Sequence, residues 1–185
     1  MTTVDEPLKF WKEPLALWSQ NENYPGYRFH PQGQIMAYFN KCKNPIIRQM
    51  YAENGLPKVR LFCLEEKAVW VETGLLFLDI WSKPKPLGDH DADLHCGFYN
   101  GDRTDFDVKN LYYTTAENIE MAKLWSLSND DAIFKIKEID GPGFWAFRNV
   151  ISCAKIFGMD PMDVVKLRTG RLTYKGYDWG YGLYD

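Results

Sequence analysis

The chain lacks the features that define disulfide-stabilised, zinc-binding and membrane-spanning proteins. Its four cysteines are scattered and form no Cys-x-x-Cys pair, which argues against a disulfide framework and a zinc knuckle. The longest apolar run, residues 74–81 (GLLFLDIW), is interrupted by Asp79 and is far too short to span a bilayer. No signal peptide opens the sequence, since residues 1–7 are polar and acidic. We therefore expect a soluble, cytoplasmic protein with reduced thiols and no membrane partner.

The sequence also lacks an overall positive charge, because its formal net charge is −3. The charge is uneven. Residues 1–86 contain 11 Lys and Arg against 9 Asp and Glu, residues 87–140 contain 5 against 12, and residues 141–185 contain 6 against 4. An acidic surface repels a phosphate backbone, so the middle segment needs a metal ion or the flanking segments to approach nucleic acid.

Apolar and aromatic residues are abundant, at 45% and 16% of the chain, and are ample for folded cores. The first segment, residues 24–39, has turn residues between alternating apolar positions, which predicts two short strands. A further strand is predicted over 58–64. Over 68–81, apolar residues at near-helical spacing predict a helix that ends before the prolines of residues 83–88.

The last segment begins after a break at residues 140–143 (DGPG). An apolar stripe over 147–157 predicts a helix, and Gly158 is placed to close it as a left-handed cap. Asp160 then suits an N-cap and Pro161 the first position of a second helix, which ends near residue 169. Together they predict a helix-turn-helix.

Residues 97–118 (GFYNGDRTDFDVKNLYYTTAEN) resemble the loop and helix start of HNH endonucleases of the phage and intron homing type. The segment 24–39 is similar to the small nuclease-associated module that precedes many HNH domains. Residues 170–179 (GRLTYKGYDW) are similar to the tail of the C-terminal DNA-binding module in the same nucleases. These resemblances occur in the family's order, from residue 24 to 179.

The resemblance implies an α+β fold with a small ββα HNH-like (His-Me finger) centre, an N-terminal β-rich module and a C-terminal helix-turn-helix. It divides the chain into a nuclease-associated module (1–63), a degenerate HNH-like domain (64–125), a linker (126–140) and a helix-turn-helix module (141–185). It also implies a phage or mobile-element protein that works in the cytoplasm of a bacterial host cell.

The residues that do the chemistry in this family are missing here. An HNH site uses a His general base and a divalent cation held by a neighbouring side chain. The resemblance places the base at Phe98 and its neighbouring ligand at Gly97. Phenylalanine cannot accept a proton and glycine has no side-chain ligand, and loss of a general base alone typically costs about 10²–10⁴ in rate. We therefore predict an inactive centre, a pseudo-enzyme, with no catalytic residue and no cofactor.

An alternative keeps the activity. His95 would face the same side of a strand as residue 97, so a bulge could make it the base, with Asp91 or Asp93 as a ligand and Mg²⁺ as the cofactor. The other interpretation is that His95 is a surface or packing residue. Asn118 matches the helix ligand of some members, or is an inert residue on a helix surface. Asp93 and Asn118 are the weak metal candidates.

The frame of the motif is retained. Asn100 and Gly101 form a turn dipeptide that favours positive φ, and Asn110 matches the family's bracing asparagine, whose buried amide must be paired. The spacing of three acidic residues suggests an EF-hand calcium loop, but the Glu expected at its twelfth position is absent; the three are Asp102, Asp105 and Asp107. A solvated acidic loop is the prediction.

The basic residues of the last segment are the candidates for phosphate contacts if its second helix docks on DNA. They are Lys166, Arg168, Arg171 and Lys175. Nearby carboxylates, those of Asp160, Asp163 and Asp178, reduce the net positive charge of this segment. The alternative interpretation is therefore that the four basic residues are ordinary solvated side chains. Trp179 is predicted to lie in a core.

Three functions follow. The first is an inactive homing-endonuclease-like protein that binds DNA or a protein partner. The second is an active, divalent-metal-dependent DNA nicking endonuclease. The third is a phage accessory or scaffold protein that contacts other phage or host proteins.

Overall fold

The computed structural model describes residues 17–37, 46–47, 51–53, 56–65, 67–88, 93–125 and 134–181, with backbone alone for 46–47, 51–53, 56, 125 and 134. The fold is α+β, as predicted. The chain divides into two compact units: the first unit is Met1–Ser82 with Asn100–Leu111, and the second unit is Lys83–Tyr99 with Tyr112–Asp185.

The described strands are β1 (Tyr27–Phe29), β2 (Ile35–Ala37), β3 (Ile46–Ile47), β4 (Tyr51–Glu53), β5 (Leu56–Phe62), β6 (Ala68–Glu72), β7 (Leu94–Phe98), β8 (Leu111–Thr115), β9 (Phe134–Glu138), β10 (Phe144–Phe147), β11 (Thr173–Tyr174) and β12 (Tyr177–Asp178). The described helices are α1 (Thr73–Ile80), α2 (Ala116–Trp125), α3 (Val150–Phe157) and α4 (Pro161–Thr169). None of these helices combines the length and apolar content that crossing a membrane requires.

The first unit contains two antiparallel three-stranded sheets, ordered β1-β2-β3 and β4-β5-β6. The two strands predicted in 24–39 are confirmed as β1 and β2, and Gly33 in their turn has a φ of 90°. The strand predicted over 58–64 is confirmed as β5. The prediction of one helix over 68–81 was wrong in its first part. Residues 68–72 form β6 because β-branched and aromatic side chains favour extended backbone, and this strand pairs in register with β5.

The core of the first unit is centred on Phe77 of α1, which is fully buried. Its ring lies edge-on to Phe29 of β1 at 6.3 Å and stacks on Phe106 at 6.5 Å between centroids. The segment 100–111 is thereby packed into the first unit. The Val108 N–H also donates to the Pro31 carbonyl at 2.8 Å.

The second unit contains an antiparallel four-stranded sheet ordered β10-β9-β12-β11, packed on α3 and α4. Its core includes Trp179, which is fully buried, so the prediction for this residue is confirmed. Strand β9 lies in the segment 126–140 assigned to a linker. The division of the chain into four domains stays a prediction.

The capping residues predicted between α3 and α4 are confirmed. Gly158 caps α3 with a φ of 65°, and the Asp160 side chain accepts a 2.8 Å hydrogen bond from the Met162 N–H with Pro161 in the first turn. The predicted start of the first helix at Phe147 was wrong. Phe147 ends β10, and Asn149 caps α3 by accepting from the Ser152 N–H.

Candidate functional site

The loop between β7 and β8 is braced by the amide of Asn110, of which only 4% is exposed. Its Oδ1 accepts from the Asn100 N–H at 3.0 Å, and its Nδ2 donates to the Asn100 Oδ1 at 2.9 Å and to the Asp105 carbonyl at 3.0 Å. Gly101 has a φ of 75°. The predictions of a paired buried amide and of a positive-φ turn are confirmed, and the structure brings Asn100, Gly101 and Asn110 together.

The acidic side chains of this loop are engaged by their own loop. Asp102 Oδ1 accepts from both the N–H and the hydroxyl of Thr104, at 2.8 and 2.7 Å. The hydrogen bond from the Thr104 side chain lowers the pKa of Asp102. Asp105 Oδ2 accepts from Asn100 Nδ2 at 2.8 Å, and Asp107 Oδ1 accepts from the Lys109 N–H at 2.9 Å. These carboxylates act as turn-forming acceptors.

Residue 97, where the sequence resemblance would place a metal ligand, lies on β7. The Tyr112 ring of β8 covers it, since a Cβ on residue 97 would lie 2.3 Å from Tyr112 Cζ. Non-bonded carbon atoms essentially never approach so closely, so a larger side chain at residue 97 would require the ring to shift. The neighbouring Phe98 is half-buried. A side chain that could bind a cation at residue 97 would therefore overlap the Tyr112 ring in its present position.

Tyr112 is held by Tyr99, which packs ring against ring at 4.6 Å between centroids. The Tyr99 hydroxyl lies 3.1 Å from the Ala154 carbonyl and 2.8 Å from the Met159 carbonyl, on either side of the turn between α3 and α4. Burial raises the pKa of both tyrosines, so both hydroxyls stay neutral. The aromatic pair thus belongs to the core of the second unit.

His95 lies on the same strand, two residues before Gly97. Its Nε2 lies 3.2 Å from Asp93 Oδ1, and the two side chains are 41% and 57% exposed. A carboxylate at this distance can orient the imidazole ring. The other carboxylate weighed in the sequence, Asp91, lies outside the described residues. The structure therefore brings together His95 and Asp93 of the predicted alternative site.

Asn118, the second weak metal candidate, is 1% exposed and faces two carboxylates. Its Nδ2 donates to Asp160 Oδ2 at 2.9 Å and to Asp163 Oδ1 at 3.0 Å. Asp163 Oδ2 also accepts from the Leu87 N–H at 2.9 Å. The amide therefore presents its donor, and not its oxygen, to these carboxylates. We call these residues, Asn118, Asp160 and Asp163, the amide–carboxylate cluster.

Burial raises the pKa of Asp160 above 3.8, and the charge of Asp163 adds to this rise. Hydrogen bonds from Thr114, the Met162 N–H and Asn118 oppose it. Across the described residues, no three His, Cys, Asp or Glu side chains converge as a metal site would need.

The four predicted DNA contacts differ in their surroundings. The Lys166 side chain is 31% exposed, with its Nζ 3.4 Å from Glu117 Oε1. Arg168 is half-buried, and its charge partly offsets the burial that raises the pKa of Cys153 to about 12. Arg171 and Lys175 are exposed, with φ values of 54° and 50°. The structure thus leaves two of the four side chains open to solvent.

Sequence patterns indicated Asp160 as a helix cap but missed its contact with Asn118, and they missed the roles of Tyr112 and Asp163. One signal was present in the sequence: a strand that contains a glycine is followed by a strand rich in tyrosine. This signal could have indicated that an aromatic ring covers residue 97. No local signal links Asn118 to carboxylates more than forty residues away.

No protein-family model matches the chain, and no curated protein sequence matches it. Among solved structures, the chain is similar to one described as "DNA binding and cleavage by the HNH homing endonuclease I-HmuI". The identity is 17%, the alignment covers 87% of this chain and 95% of that one, and the TM-score is 0.43.

Proposed function

We propose that this chain is an HNH-like protein that binds DNA without cleaving it. The observation that carries the proposal is the Tyr112 ring, which fills the space that a ligand on residue 97 would need. The base position carries Phe98, so both elements of HNH chemistry are absent from the places the motif assigns to them. DNA binding is then the part of the nuclease function that we propose the chain keeps.

The surface charge of residues 134–181 supports DNA as the partner. This stretch has eight Lys and Arg against five Asp and Glu. Asp160 and Asp163 are 3% and 1% exposed, so neither presents its carboxylate on the surface. They cap and anchor α4 instead, and three acidic residues remain to oppose the cations. A phosphate backbone is attracted to such a surface.

The burial of α4 limits how this surface could bind. A recognition helix reads base edges with the residues of its N-terminal part. Here Pro161, Met162, Asp163 and Val164 are all buried. Of the four predicted DNA contacts, the two exposed ones, Arg171 and Lys175, lie beyond the C-terminal end of α4. We therefore expect phosphate contacts to dominate, with strong salt dependence and little sequence preference.

The test is fluorescence anisotropy with a labelled duplex at increasing salt. If four cations contact phosphates, the logarithm of affinity should fall with a slope of about −3.6 against the logarithm of salt concentration. The double variant Arg171→Gln/Lys175→Gln should weaken binding and flatten the slope by about 2. Lys67→Gln is the matched control, because that side chain is 75% exposed but lies in the first unit.

Absence of duplex binding at low salt would overturn the DNA proposal. A protein that co-purifies stoichiometrically would then favour the scaffold function.

The Asp93–His95 contact of 3.2 Å favours nicking as the second candidate. Incubation of supercoiled plasmid with the protein and Mg²⁺ or Mn²⁺ distinguishes nicking from binding without cleavage. We expect no relaxed product. Nicking that is lost in His95→Ala and kept in Lys67→Gln would establish the second candidate and overturn the first.

A further inference from the structure

One face of the four-stranded sheet in the second unit is turned away from the core. Ile136 of β9 is fully buried, so its neighbours Lys135 and Lys137 project from the opposite side of the strand. On β10, Phe144 lies opposite Lys137 and Ala146 opposite Lys135, which places Phe144 on the same side as the lysines. We call Lys135, Lys137, Phe144 and Tyr181 the outer sheet face.

Aromatic rings and ammonium groups alternate on the outer sheet face. Lys135 Nζ lies 5.4 Å from the Phe144 ring centroid, and Lys137 Nζ lies 5.8 Å from that of Tyr181. The two rings are 6.1 Å apart at an interplanar angle of 35°. Phe144 is 54% exposed, which is a large apolar surface for a side chain with no further role in the core.

Asp178 lies opposite Lys137 on β12, and its Oδ1 accepts from the Gly180 N–H at 2.9 Å. The face therefore has two cations against one engaged carboxylate, and its charge complements a polyanion.

We propose that the outer sheet face binds single-stranded nucleic acid, with bases stacked on Phe144 and Tyr181 and phosphates bound by Lys135 and Lys137. Exposed rings flanked by cations are the combination that recognises unpaired strands. A duplex keeps its bases stacked inside and leaves such rings without a partner. A second copy of this chain would bring its own lysines against these lysines, which repel. This inference goes beyond the proposed duplex binding and does not require it.

The test is anisotropy of a labelled polythymidine of about 15 nucleotides with the full chain at low salt. Phe144→Leu keeps the apolar bulk and removes the ring, and should weaken binding by about tenfold. Its control is Trp145→Leu, which removes an aromatic side chain that is 49% exposed on the other side of the same strand. An abasic strand of equal length and charge should bind to the wild type more weakly than polythymidine binds to Phe144→Leu, because it also has no base to stack on Tyr181.

A second variant tests the cations. Lys135→Gln/Lys137→Gln should weaken binding and reduce the salt slope by about 1.4. Lys155→Gln, on the exposed side of α3, is its control and should leave binding unchanged. Circular dichroism melts verify that all variants are folded.

Equal effects of Phe144→Leu and Trp145→Leu, or equal affinity for the abasic strand, would overturn the proposal. A dimer in light scattering that Phe144→Leu dissociates would also overturn it, in favour of a contact between copies. Duplex binding without polythymidine binding would defeat this inference alone. Polythymidine binding without duplex binding would support it and defeat the proposed function instead.

Discussion

The β7–β8 loop and helix α2 each bury one asparagine, but the two amides bond to different parts of the chain. Asn110 has partners five and ten residues away, and they are backbone groups and a neutral amide. Asn118 has partners 42 and 45 residues away, and both are carboxylates. The same side chain therefore closes a local turn in one region and connects distant helices in the other. The first role is independent of pH, whereas the second depends on charge.

Asn118→Asp should have the largest effect, because it places a third carboxylate beside Asp160 and Asp163. An uncompensated buried charge costs about 3–5 kcal/mol of unfolding free energy at neutral pH. The pKa of the new carboxyl would be raised in the folded state, so the loss should shrink as the pH falls toward about 4. Urea denaturation at several pH values measures this.

Glu120→Gln is the control, since its side chain is 69% exposed on the same helix. It should change the unfolding free energy by less than about 0.5 kcal/mol. Equal losses for Asn118→Asp at neutral and acid pH would contradict the role of the amide–carboxylate cluster.

Asn110→Ala should have the next-largest effect, a loss of about 3 kcal/mol of unfolding free energy. It removes three hydrogen bonds and leaves the Asn100 N–H and the Asp105 carbonyl without the Asn110 side chain as a partner. No charge is involved, so the loss should be the same at acid and neutral pH. Arg103→Gln, a change of an exposed side chain in the same loop, is the control for urea denaturation and should be nearly neutral. A strongly pH-dependent loss would remove the distinction between the two regions.

Gly97→Ala should cause an intermediate loss of unfolding free energy. Its Cβ would overlap the Tyr112 ring, and overpacking of this kind typically costs about 1–3 kcal/mol. In a Tyr112→Ala background the same change should cost less, with a coupling energy above about 0.5 kcal/mol. Gly143→Ala is the matched control, because nothing lies within 4 Å of its added Cβ. Additive losses in the double variant would show that Tyr112 does not occupy the space at residue 97.

The smallest expected effect is the contribution of Asp160 to the pH dependence of the unfolding free energy. Its pKa is raised in the folded state, so the folded protein holds this proton more tightly than the unfolded chain. Stability should therefore fall as the pH rises from 3.8 through the raised pKa. Asp160→Asn, which can still cap α4, should remove this part of the slope. An unchanged slope in urea titrations would assign it to Asp163 or another group.

Features set by neighbouring residues could be predicted from the sequence. Gly158 with Asp160 and Pro161 marks the turn between α3 and α4, and Asn100 with Gly101 marks the turn after β7. In each case the backbone conformation follows from residues next to one another.

Features set by pairing over a distance could not be predicted in this way. The apolar spacing over 68–81 fits a helix, yet pairing with β5 makes its first part a strand. The Tyr112 ring over Gly97 depends on the approach of β7 and β8, and the carboxylates around Asn118 depend on how α2 packs on α4. Helical or strand periodicity carries no information about such partners.

The division of the chain into units has a practical consequence for dissecting it. The polypeptide passes from one unit to the other three times, after Ser82, Tyr99 and Leu111. No single cut separates the units, and a continuous fragment such as 64–125 contains incomplete portions of both. Truncation would expose apolar surface on each fragment, so loss of binding after truncation would report loss of folding. Point substitutions in the intact chain are the means by which its surfaces can be assigned.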